Sequence, residues 1–285
     1  MSEEPEKTAA QHPTARLTPY ELAFGEAGFE EEVFPRLAEE AEVRGTDSGH
    51  RDEFVLLEAA GRAVRAVVPD EAGAETLEQY RLLLFHAFHF WRFGCRMYAL
   101  EAAPARYLVE AAPTLEGWEL ALPHRSLYLQ LPRNLFWSSI TPDATPEAVD
   151  GFFVTTTRGS DPVGPAYDRL EAVMVLGVRP DRAGFSVIPF DTTVGEGIPA
   201  AWAEARGREE GEEFANILPG GGISGLYSIL TVAEMTKFLG RAFWYIDRHP
   251  ESLTPRQPGP EEEAGTGNLM PPTRLRHTRV GLSNR

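Results

Sequence analysis

The apolar positions change period twice along the chain. At the start they recur at helical spacing. Thr18-Pro19-Tyr20-Glu21 has the form of a capping box with proline at the first helical position, so a helix is expected there. Gly25 and Gly28 interrupt it, and FEEEVFPRLAEEAEV (29–43) resumes a helical pattern in which Pro35 marks a kink or break. Phe54, Leu57, Ala60, Val64 and Val67 space a second helix over about 51–67. A long third helix is expected from about 75 to 101, and a short fourth, APARYLVEAA, before Pro113.

From about residue 117 the period shortens to two. SLYLQL (126–131) alternates Leu127, Leu129 and Leu131 with Ser126, Tyr128 and Gln130. GFFVTTT (151–157) and AVMVLGV (172–178) are rich in β-branched and aromatic residues. RPDRAG then turns the chain into FSVIPF (185–190), a hairpin signal, and WELAL (118–122) offers a fifth strand. Helical spacing returns in 199–218 and again in 223–248, where Leu239, Phe243 and Ile246 share one face.

This order predicts an α+β fold: a central antiparallel sheet, about 117–190, covered by the N-terminal helices and a long C-terminal helix. One domain is expected over 16–253, helical in 16–112, strand-rich in 117–191 and helical in 199–249. Residues 1–15 and 254–285 read as disordered tails.

Composition narrows the chemistry. The formal charge of −16 argues against nucleic acid and anionic lipid as partners. No run of apolar residues reaches the length of a membrane span, and the acidic N-terminus is unlike a secretory signal, so a cytoplasmic location is expected. The single cysteine, Cys95, excludes an intramolecular disulfide. Only Lys7 and Lys237 are lysines, and neither sits in a phosphate-loop motif; Schiff-base chemistry lacks a suitable lysine too. GEGIPA (195–200) and LPGGGISG (218–225) contain glycines that helix starts and turns explain. Asp150, Asp181 and Asp191 fall at expected strand ends without forming a motif.

Candidate site residues cluster in LLLFHAFHFWRFGCRMY (82–98). On a helical wheel His89, Arg92 and Arg96 share a narrow polar stripe with Glu78 and Arg81. That stripe is either a solvated edge or a pocket for an anion. His86 falls in the apolar arc, either as a hydrogen-bonded core histidine or as the group that moves a proton. Neither HExxH nor a CxxC pair occurs, and no metal or cofactor is expected. Two functions follow. The favoured one is a soluble, non-enzymatic binding or assembly protein of unknown partner, drawing on the aromatics Trp137, Trp202, Trp244 and Tyr245. The other is an enzyme or sensor that binds a small anionic ligand beside the helix 75–101.

Overall fold

The computed structural model describes residues 15–25, 28–44, 51, 54, 56–68, 73–110, 122–139, 144–159, 167–179, 185–193, 232–258 and 270–283. The expected segments 118–121, 195–200 and 199–225 lie outside these residues, as do residues 1–14. The helices are α1 (Pro19–Phe24), α2 (Phe34–Val43), α3 (Glu58–Val67), α4 (Ala74–Arg92), α5 (Ala102–Glu110) and α6 (Val232–Arg248). The strands are β1 (Met97–Leu100), β2 (Ser126–Gln130), β3 (Trp137–Ser138), β4 (Glu147–Gly159), β5 (Tyr167–Leu176), β6 (Ser186–Thr193), β7 (Leu253–Arg256) and β8 (His277–Val280).

The fold is α+β, but its sheet is mixed rather than antiparallel. Strand order is β6-β5-β4-β2-β1-β8-β7, with β3 on β4. β4, β5 and β6 pair antiparallel, while β1 runs parallel to both β2 and β8. The sheet therefore extends well beyond 117–190. Two segments form strands where other structure was expected.

The first is β1. Helix α4 stops at Arg92 because Gly94 (φ +85°) and Cys95 (φ +50°) turn left-handed. Cys95 N–H donates to Phe90 O and Gly94 N–H to Trp91 O, the paired bonds of a Schellman cap. The remaining apolar residues, MYAL, become a strand. A four-residue apolar run is indistinguishable from helix by periodicity when it abuts an apolar helix.

The second departure is the C-terminal segment. Residues 253–256 and 277–280 form the edge pair β7 and β8, so residues 254–285 are not a disordered tail throughout. β8 gains its backbone partners from β1, 180 residues earlier in the chain, which local composition does not record. Tyr245 on α6 fastens this segment: its hydroxyl donates to Gly281 O at 3.0 Å and accepts from Ser283 N–H at 2.7 Å.

The sheet is covered on both faces. Leu127, Leu129, Phe152, Val154 and Met174 pack under α5 and α6, where Phe238, Ala242 and Phe243 are buried. Tyr128, Phe153, Val173 and Val175 pack under α4 and the N-terminal helices, where Phe34, Phe85, Phe88 and Phe90 are buried. β2 is consequently buried at every residue, including Ser126 and Gln130. At the chain's start the capping box forms as written: Glu21 N–H donates to Thr18 Oγ1, and Thr18 N–H donates to the Glu21 carboxylate. No helix among the described residues is long and apolar enough to cross a membrane.

Candidate functional site

The residues expected on one stripe of a helix are separated by the early end of α4. His89 is 3% exposed, inside a nest of Phe54, Phe85, Phe88 and Phe93. Its Nδ1 has no hydrogen-bond partner among the described residues. Burial, with the Arg92 and Arg125 guanidiniums nearby, depresses its pKa to about 3. Arg92 is half-buried with its guanidinium over Phe88, and Arg96 is exposed beyond the helix end. The three thus have different surroundings: an aromatic interior, a helix end and open surface.

His86 is sealed beneath α4. Its Nδ1 lies 3.2 Å from Thr155 Oγ1, which in turn lies 3.0 Å from Ser126 Oγ. Burial, then the positive potential of His89 and Arg51, holds its pKa well below the ordinary value. A neutral imidazole hydrogen-bonded to a buried threonine is satisfied, and it stitches α4 to β4. Of the aromatics expected at a surface, Tyr245 is buried, Trp137 and Trp244 are half-buried, and Trp202 lies outside the described residues.

A different set of residues converges at the carboxyl ends of the parallel strands β1 and β2. α4, which leads into β1, lies on one face of the sheet, and α5, which leaves it, lies on the other. A chain that changes faces across a strand leaves a crevice at the strand's carboxyl end. Here the crevice is a cleft of about 780 Å³, closed on its far side by β7 and β8. Leu100, Leu131 and Met270 line it with apolar surface, and Arg16, Arg133, Arg256, His277 and Arg279 line it with basic groups. Glu101 is the acidic group of the lining, and it pairs with Arg279 at 2.7 Å. Burial and the neighbouring Arg256 hold the His277 pKa below 6.5, leaving that ring neutral at pH 7.

Arg16 is fixed from several sides. Residues 15–17 bond to 271–273 through Leu17 N–H to Pro271 O and Thr273 N–H to Ala15 O. The Arg16 guanidinium donates to Asp150 Oδ1 and to Leu131 O, both at 2.8 Å. Asp150 is the extra residue of a bulge in β4, between Val149 and Gly151, a device that re-aims a side chain at a sheet's edge. Its other oxygen accepts from Tyr128 at 2.5 Å and from Gln130 at 3.3 Å. Arg133, on the turn after β2, has its pKa lowered by burial and then by the like charge of Arg16. Neither Arg133 nor Arg256 forms an ion pair among the described residues.

Of these residues the sequence drew attention to Asp150, as a strand-end aspartate, and to His277 and Arg279, within the arginine-rich end TRLRHTRVGLSNR (273–285), which reads as an unstructured end or a docking segment. The lining comes from five separated segments, and only the topology of the parallel strands brings them together. Among the described residues no cluster of three or more His, Cys, Asp or Glu side chains is placed to hold a metal ion.

No family model and no curated protein matches the chain. A solved structure of AcrVA2 is similar to it over 92% of this chain and 81% of that one, at 12% identity and a TM-score of 0.47. That degree of likeness carries no functional argument.

Proposed function

We propose that the chain is a non-enzymatic binding protein that holds an oxyanion-bearing ligand in the cleft at the carboxyl ends of β1 and β2. The observation that carries this reading is the lining's charge. In a chain of net charge −16, this cleft gathers four arginines against one glutamate. Arg133 is pressed by the like charge of Arg16 and forms no ion pair among the described residues, so an incoming oxyanion relieves a like-charge repulsion. Guanidinium groups present a planar fork of donors to carboxylate and phosphate oxygens. They neither give nor take a proton at physiological pH, which suits a cleft built of them to binding rather than acid–base chemistry. The cleft's volume is that of a small-molecule site.

The anionic ligand expected beside the helix 75–101 is placed by this reading at the far end of β1 instead. Thermal melting with orthophosphate, pyrophosphate, citrate and succinate, beside an Arg133→Ala, Arg256→Ala double variant, tests it. A ligand at about 100 times its Kd stabilises by roughly 2.7 kcal/mol. A rise in melting temperature in the wild type that disappears in the double variant is expected. A rise of equal size in both would remove the cleft from the account.

A further inference from the structure

Beside the large cleft lies a second hollow of about 270 Å³, lined by Arg16, Arg133, Asn134, Asp150 and Arg179. Arg16 and Arg133 line both. The junction is built by the turn after β2, where Asn134 takes a left-handed conformation (φ +57°) that asparagine tolerates better than most residues. Across the two hollows five arginines face two carboxylates. Arg16 is matched by Asp150 and Arg279 by Glu101. Arg133, Arg179 and Arg256 form no ion pair among the described residues, and all three are exposed. Arg256 belongs to the large cleft, Arg179 to the small hollow, and Arg133 stands between them.

We infer that the ligand carries at least two separated oxyanionic groups, one held beside Arg256 in the large cleft and one beside Arg179 in the small hollow, with Arg133 bridging them. This rests on the binding role proposed for the large cleft and specifies its ligand class. The shared chemistry is an oligoanion, either an oligophosphate or a polycarboxylate. A single-headed anion satisfies one end of the site. A two-headed anion gains its second contact intramolecularly, at the effective concentration its own length sets.

Isothermal titration of the full chain with two series tests this: orthophosphate, pyrophosphate and tripolyphosphate, then acetate, succinate and tricarballylate. Wild type, Arg179→Ala and Arg256→Ala are compared, their folding checked by melting. In one series affinity rises at least about tenfold from the single-headed to the longest member, and that series identifies the anion's chemistry. Arg179→Ala abolishes the rise along the series, and Arg256→Ala weakens the longest member. Equal affinity along both series, or a rise untouched by Arg179→Ala, overturns the two-headed ligand. If Arg256→Ala still weakens binding in that case, the large cleft keeps its role. No binding of any probe to the wild type overturns both.

Discussion

The Tyr128 hydroxyl donates to Asp150 Oδ2 at 2.5 Å, and Gly151 is the residue that lets the ring reach it. A Cβ at 151 would lie 2.3 Å from Leu129 O and 2.8 Å from the Tyr128 hydroxyl. The bulge that aims Asp150 at Arg16 and the glycine beside it form one device.

Gly151→Ala is therefore expected to destabilise the fold by about 2–3 kcal/mol, since backbone rather than a flexible side chain occupies the space. Gly94→Ala meets no neighbour nearer than 3.8 Å and has only its positive φ to accommodate, at a cost of about 1–2 kcal/mol. Chemical denaturation of both variants checks the order. A larger loss for Gly94→Ala would contradict the packing at Gly151.

Arg16→Ala leaves the Asp150 carboxylate, 8% exposed, without its cation. Truncating one partner of a buried pair costs about 3–5 kcal/mol. Arg133→Ala removes an exposed guanidinium from the same junction and is expected to leave stability unchanged or slightly raised. Melting curves of the two variants at one pH separate the structural arginine from the one available to a ligand.

Stability should fall on acidification through the two buried imidazoles. In the unfolded chain they take up protons below about pH 6.5, whereas folded His89 does so only near pH 3, and folded His86 also has a depressed pKa. Their contribution is complete above about pH 6.5 and is lost as the pH drops toward the folded values. His89→Leu removes the unpartnered Nδ1, which costs about 1–3 kcal/mol while buried. The variant should be at least as stable as wild type at pH 7.5 and relatively more stable at pH 5. Urea titrations at the two pH values decide this, and a variant that loses ground at pH 5 would refute it.

Helical and strand periods identified most of the elements, because burial of one face imprints a period on the sequence. Ser126, Tyr128 and Gln130 show what that signal hides. Their alternation suggests a half-exposed strand, yet the polar side of β2 is buried against α4 and Arg16. The end of α4 was legible in principle, since Gly94 just past the last periodic residue is a stop signal. The cleft was not legible. Arg16, Arg133, Arg256 and Arg279 share no spacing, and β8 joins β1 through a pairing that neither segment encodes alone.

The most direct test of the cleft is arginine-selective labelling with phenylglyoxal, read by mass spectrometry, with and without tripolyphosphate. Arg133 and Arg256 should be protected by the anion, while the exposed Arg44, Arg62 and Arg248, which lie off the cleft, label equally in both samples. Unchanged labelling of Arg133 and Arg256, with protection at the other three, would contradict the account.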